Sequence, residues 1–491
     1  MRNLIRQSCS SPSRLIIAWL CLLYGIGSVS PLLGNQPPDE LPPPILSSLD
    51  DRLLKLEQQS STLTLENRRL AEQLDEFRQR SAATVSPPSS SFLSDNNSPR
   101  VGYDNGLFIS SADDDQFPFQ LRFNNQSQIR YVSFQPSVAT WEDGAGNVSS
   151  VTERSAFELT RGRAIFSGYA FDSKLTYNLS IDYTTVSASQ LNFWTYWLSY
   201  EFNRRFSLFI GQGLVPGTRE WLTPYLFLQG PDYSLATTFF RPSLSQGVWA
   251  SGELTDSVKY RAMLSNGFNT LGSSQQQLDS RMTMSGSIWA EPLGPFGPGF
   301  SDFEWHHSPA VRLGTSFTQS PNRGQQGNAN LPENVDLRLT NGTLLTQTGA
   351  LAPGVTLNSY TVSLGAIDIG WKYQGFSISS ELYLRELSSL KGDGPVPRSS
   401  IFDYGGYAQC GYFVQPKTLE LYARTSQIAG PYGSGSEYAG GANYFLLPDK
   451  QNLRFTFDAA WVNHSPADQA RTDYRAGDTG LLIRAQFQFF F

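Results

Sequence analysis

From Phe117 to the final Phe491 the chain alternates apolar and polar residues in one stretch after another. Phe119, Leu121, Phe123, Ile129 and Tyr131 share one parity, and Gln120, Arg122, Asn124, Gln126, Gln128 and Arg130 the other. Successive side chains of a strand point to opposite faces, so such a stretch is a strand with one apolar and one polar face. Leu175 to Tyr183, Trp194 to Phe202, Val258 to Leu264, Leu453 to Trp461 and Leu481 to Phe491 repeat the pattern. The chain holds about sixteen such segments, each near the ~9–11 residues that a tilted membrane-crossing strand needs. The pattern is ambiguous in Ser245–Leu254 and Ser436–Leu447.

Where the apolar face hides decides the fold class. In a sandwich or propeller it would point into a shared core. Here aromatic residues make up 13% of the chain and charged ones only 16%. Trp141, Trp221, Tyr225, Trp249, Trp289, Trp305, Trp371 and Trp461 are expected near strand ends, where a membrane barrel places its interfacial girdles. Phe491 ends the chain at the apolar parity of its last strand, which resembles the assembly signal of outer-membrane proteins. The expected fold is all-β: a transmembrane antiparallel β-barrel of about 16 strands over residues 117–491, lying in outer-membrane lipid.

The N-terminal region reads differently. Residues 1–35 have the form of a signal peptide: Arg2, Arg6 and Arg14 precede the apolar run Leu15 to Val29. That run is shorter than a transmembrane helix requires, and Trp19-Leu20 before Cys21 does not suit lipidation. Residues 36–80 combine a spacer (Pro37, Pro38, Pro42, Pro43, Pro44) with a heptad seam. Leu46, Leu53, Ser60, Asn67 and Leu74 stand at a, and Leu49, Leu56, Leu63, Leu70 and Phe77 at d, the pattern of a short α-helical coiled-coil stalk, here expected in the periplasm. A single solvated helix is the other reading. Residues 81–116, with a serine run and Pro87-Pro88, are expected to be a disordered linker.

The composition excludes several functions. A net charge of -6 leaves no basic footprint for nucleic acid. His306, His307 and His464 lack metal-ligand spacing, so no metal and no cofactor is expected. Cys410 has no partner in the mature chain and reads as a packing residue. Asn463-His464-Ser465 is the one neighbourhood offering parts of a hydrolase, but adjacent strand residues point to opposite faces. A structural tether acting through the stalk is a further alternative.

A barrel with a polar inner parity can conduct solutes. Arg122, Arg130, Lys174, Lys259, Arg261, Arg385, Arg424, Arg454 and Arg484 lie on that parity, and Arg161 and Arg163 join them if the local register allows. Arginine stays charged and presents fixed donors to carboxylate or phosphate, so these residues are candidate pore-lining, anion-binding groups. The alternative is that they pair with Asp182, Glu381, Glu420 and Asp458 to neutralise the wall. The segment Leu214–Ser245 is too long for an idle connection and is the candidate constriction loop, with Arg219, Glu220 and Arg241. Otherwise it covers the barrel mouth. Lysine is scarce and forms no cluster there, which favours small anions in general over phosphate alone.

Several stretches resemble the phosphate-selective porin O and P family. They are Phe157-Glu158-Leu159-Thr160-Arg161-Gly162-Arg163-Ala164, Phe209-Ile210-Gly211-Gln212-Gly213-Leu214-Val215-Pro216, and Leu264-Ser265-Asn266-Gly267-Phe268. Gly411-Tyr412-Phe413-Val414-Gln415 with Leu419-Glu420-Leu421-Tyr422-Ala423-Arg424 is a fourth. The resemblance covers roughly Phe117 to Phe491 and implies a sixteen-stranded porin, a homotrimer with anion preference. The stalk is not part of that pattern.

Overall fold

The computed structural model describes residues 99–111, 118–186, 190–324, 331–332, 334, 336–447 and 449–491. The expected signal peptide, the expected spacer and coiled coil, and most of the expected linker fall outside the described residues.

The linker is shorter than its composition suggests. Strands β1 (Arg100–Tyr103) and β2 (Leu107–Ser110) form a hairpin around Asp104-Asn105-Gly106. Asn105 at φ 48° and Gly106 at φ 144° supply the left-handed backbone the tight turn needs. β2 then pairs with the start of β3 (Phe119–Pro136), from Gln120 to Phe123, which the last strand does not reach. Val101, Tyr103, Leu107 and Ile109 carry the same two-residue period as the barrel strands.

A small hairpin follows, β4 (Thr140–Glu142) with β5 (Val148–Ser150). The barrel continues through β6 (Arg154–Ala170), β7 (Asp172–Thr184), β8 (Gln190–Asn203) and β9 (Phe206–Leu214). Then come β10 (Leu244–Glu253), β11 (Val258–Ser265), β12 (Thr283–Ala290) and β13 (Ala310–Arg323). β14 (Leu357–Tyr373), β15 (Phe376–Gly392), β16 (Ser400–Gln415) and β17 (Leu419–Gly430) lead to β18 (Gly433–Leu447), β19 (Lys450–Asn463) and β20 (Gly480–Phe490). Each pairs antiparallel with the next, and β20 returns to β3, so β3 and β6–β20 close a sixteen-stranded barrel. Closure satisfies the backbone of every strand without leaving an edge, as lipid requires. The two ambiguous stretches form β10 and β18.

The barrel enters and leaves at one rim, called here the terminal rim. Connections there run to between one and four residues, except for residues 291–309 between β12 and β13. The opposite, loop rim carries most of the longer segments.

Among the β-bulges of the described strands, two reset the parity of residues singled out in the sequence. In β6, Ile129 faces Leu159 but Gln128 faces Arg161, so Thr160 is the extra residue. That shift turns Arg161 and Arg163 inward beside Glu158; unbroken alternation would send them to lipid. In β8 a second bulge turns Trp194 inward while Phe193, Leu198 and Tyr200 stay exposed on the outside. Trp194 therefore does not share the outer face with Tyr196 and Leu198.

The girdle assignment also needs correction. Trp221 and Tyr225 are buried in a loop, Trp249 and Trp289 lie on the inner parity, and Trp141 and Trp305 sit outside the barrel strands. Of the eight residues only Trp371 and Trp461 lie on the outer parity near strand ends, joined by Phe376, Tyr404, Tyr412 and Tyr438. Composition identifies aromatic residues but not their parity, which each strand's register sets.

Candidate functional site

The long segment after β9 folds inward. It contains α1 (Arg219–Leu222), a single 3-10 turn (Tyr225–Phe227) and α2 (Leu235–Phe240). Inner-wall acceptors hold it. The Glu381 carboxylate takes the backbone N–H of Arg219 at 2.6 Å and of Glu220 at 3.1 Å. Glu437 and Ser426 take those of Leu235 and Ala236 at 2.9 and 2.8 Å. These are the unpaired amides that open each short helix, so the wall completes the loop's backbone hydrogen bonding. In return Asn443 and Arg454 donate to the carbonyls of Gln229 and Leu228, both at 2.7 Å. Gly411 makes the approach possible: a Cβ there would lie 1.9 Å from the Gln229 amide nitrogen.

A second segment, residues 291–309, enters from the terminal rim and meets the loop. The Phe300 N–H donates to the Phe227 carbonyl at 3.2 Å, and Ser301 donates to Glu420 at 2.8 Å. The Arg219 guanidinium lies 5.1 and 4.6 Å from the rings of Phe296 and Phe300. Sequence reading missed this segment. Its signal is the Pro/Gly-rich run Glu291 to Gly299 carrying Phe296, with Phe300 and Phe303 just beyond, at the rim where other turns are short.

Most of the predicted cations meet carboxylates. Arg385 pairs with Asp403, Arg424 with Glu437 and Arg484 with Asp458, each at 2.6 Å with both side chains almost fully buried. Arg130 contacts Asp232 at 2.8 Å and Asp473 at 2.6 Å. Arg161 shares Asp232 at 2.6 Å. Burial would raise the Asp232 carboxyl, but the two guanidiniums reverse this and hold it far below the usual carboxylate range. Arg163 and Arg471 share Asp182. Arg454 is buried and donates to the Leu228 carbonyl. Arg122 binds Asp104 at the β1–β2 turn, and Lys174 is exposed near the terminal rim. Lys259 lies 3.4 Å from Glu291.

Among the predicted cations, Arg241 and Arg261 meet no carboxylate of the described residues, nor do the exposed Lys174 and the buried Arg454. Arg261 is half-buried on the inner parity of β11. Arg241 follows α2 and stacks on Trp221 at 3.9 Å; burial lowers its guanidinium to about 10, still charged at neutral pH. Glu220 accepts from the Ser234 N–H and hydroxyl, and burial pushes its carboxyl upward.

Two cavities flank loop residues 221–225. On the loop side, a cavity of about 310 Å³ is lined by Arg161, Trp194, Trp221, Tyr225, Arg241 and Arg471 among others. On the terminal side, one of about 480 Å³ is lined by Leu222, Pro224, Arg261, Trp289, Glu291 and Arg312 among others. Arg312 and Arg471 were not singled out in the sequence; Arg312 lies on the inner parity of β13 and contacts Asp368 at 3.0 Å.

Asp302, Glu304 and His306 bring their ligand atoms within 4.8 Å of one another. Their polar atoms tie residues 291–309 to the barrel: Asp302 accepts from the Gly375 N–H at 2.7 Å and Glu304 from Lys372 at 3.0 Å. At the other rim Ser465 donates to the Ala467 carbonyl.

No curated protein matches the chain. Solved structures similar to it include the outer-membrane expressed OmpT of Vibrio cholerae, 13% identical over 77% of this chain and 99% of that one, TM-score 0.46. An anion-selective porin from Comamonas acidovorans is 10% identical over 76% and 100%, TM-score 0.49. Salmonella typhi OmpF in complex with daunomycin is 11% identical over 80% and 100%, TM-score 0.47. Residues 145–491, from the β4–β5 hairpin to the last residue, match the model of the phosphate-selective porin O and P family, and the chain belongs to that family.

Proposed function

We propose that the protein is an outer-membrane channel for passive diffusion of small solutes, with a preference for anions, phosphate among them. The family and the closed barrel support the channel. The observation that carries the anion preference is the uneven pairing of its inner cations. The arginines of β15, β17 and β20 meet buried carboxylates, whereas Arg241 and Arg261 face the two cavities without one. A fixed cation in a narrow aqueous passage attracts anions and repels cations.

The route runs past loop residues 221–225 along the inner face of β7–β13. There Thr176, Asn178, Ser207, Ser251, Arg261 and Arg312 are only half-buried. The loop is the constriction, with Arg219, Glu220 and Arg241 on it. The working unit is a homotrimer in outer-membrane lipid, and the N-terminal segment serves as a periplasmic coiled-coil stalk.

Reversal potentials in a salt gradient test the preference. The expected sign is that of an anion channel, with selectivity fading as ionic strength rises, because screening acts over ~10 Å at 0.1 M. A cation-selective current at low salt would remove the reading.

A further inference from the structure

We infer that the anion this channel favours carries a flat unsaturated ring, as an aromatic carboxylate does. The inference rests on the anion-channel reading and narrows its solute class.

The loop-side cavity combines charge with ring faces. Arg471 lies 5.9 Å from the Trp194 ring, and Arg161 lies 4.8 Å from the Tyr225 ring and 5.9 Å from Tyr233. Arg241 covers Trp221. The cavity is lined by three guanidiniums, of which Arg161 and Arg471 meet carboxylates and Arg241 does not, beside the rings of Trp194, Trp221, Tyr225 and Tyr233. Such a lining suits a ligand that brings acceptor oxygens and tolerates aromatic walls.

The terminal-side cavity repeats the combination. Arg312 lies 4.8 Å from the Trp289 ring, close to the uncharged Leu222 and Pro224 and to the unpaired Arg261. By strand register the wall between the two cavities is also apolar. Phe209 and Trp249 stack there with ring centroids 5.2 Å apart, packed with Trp197, Met263 and Val215. A bare inorganic anion uses only the charges and loses hydration against such a wall. An anion on a planar ring can place its carboxylate on the guanidiniums and its ring on the indoles and guanidinium faces.

The test uses the full chain in planar bilayers carrying potassium chloride. Benzoate, cyclohexanecarboxylate, acetate, inorganic phosphate and neutral benzamide are added in turn, and the concentration that halves the chloride current is read. Benzoate should block at a concentration ~10-fold or more below acetate or phosphate, and below its saturated analogue. Benzamide should block more weakly than benzoate, because it lacks the charge. Trp221→Leu and Trp289→Leu should each raise the blocking concentration of benzoate relative to that of acetate ~2- to 10-fold, the size of one aromatic contact. Trp289 lies on a wall strand, so its variant remains informative if the loop variant fails to assemble. Equal block by benzoate and acetate in an anion-selective wild-type channel would overturn the ring preference and leave the channel reading intact. A ratio unmoved by both substitutions would do the same. Cation-selective current would remove the channel reading itself.

Discussion

The inner parity of one barrel has two different fates. Along β14–β20 and from Asn124 onward in β3 it is buried over most of its length: Tyr360, Arg385, Asp403, Ser426, Asp458 and Arg484 are all inaccessible. Along the terminal half of β7–β13, Thr176, Ser207, Ser251, Arg261, Trp289 and Arg312 remain half-buried. The two sectors have the same alternation and similar residue types. They differ in what covers them. The inward loop and residues 291–309 dock on the first sector and leave the second facing a cavity. A polar inner parity is thus not in itself a pore wall. It becomes a protein interior wherever another segment supplies its hydrogen bonds.

Substitutions should separate the two sectors. The largest effect is expected for Asp232→Ala, which strips Arg130 and Arg161 of a shared buried carboxylate. Breaking a buried pair costs about 3–5 kcal/mol. The temperature at which the unboiled barrel loses its fast gel mobility should drop clearly. An unchanged temperature would mean the loop is held elsewhere.

Gly411→Val comes next. Its side chain would overlap Gln229, and overpacking of this kind costs about 1–3 kcal/mol. A displaced loop should also alter single-channel conductance. Wild-type conductance and stability together would contradict the docking contact.

The smallest stability effect belongs to the uncovered sector. Arg261→Gln should change stability by no more than about 0.5 kcal/mol, since no ion pair is lost. It should still shift the reversal potential toward zero. Arg484→Gln should do the opposite, losing stability through the orphaned Asp458 with little change in selectivity. If the two variants exchanged these phenotypes, the division into sectors would fail.

Much of the barrel was legible because its signal is local. Val258 to Leu264 and Leu481 to Phe491 expose their outer parity through alternation alone. Where a bulge intervenes the signal misleads: Trp194 reads as outward and points inward, and Arg161 depends on the extra Thr160 to face inward at all. The β1–β2 hairpin was hidden by the serine- and proline-rich linker before it, although Asp104-Asn105-Gly106 is a turn signal. The loop's length and apolar residues marked it as an inward segment. Its partners could not be read, because Glu381, Ser426 and Glu437 lie more than 150 residues away in sequence. For the same reason the sequence could not tell which arginines have carboxylates. Arg385 and Arg261 are alike in strand context and differ only in whether a cross-strand neighbour is Asp403 or a serine.

The most direct test places one cysteine in each sector, in a Cys410→Ser background. Ser251 faces Arg261 on β10 in the uncovered sector, and Ser426 on β17 is inaccessible beneath α2. Each channel is exposed to an anionic water-soluble thiol reagent while its current is recorded. The Ser251→Cys channel should react within the recording and lose anion current, and the Ser426→Cys channel should not respond. Rapid modification at position 426 with none at 251 would place the solute path in the sector assigned here to packing, and would contradict the account.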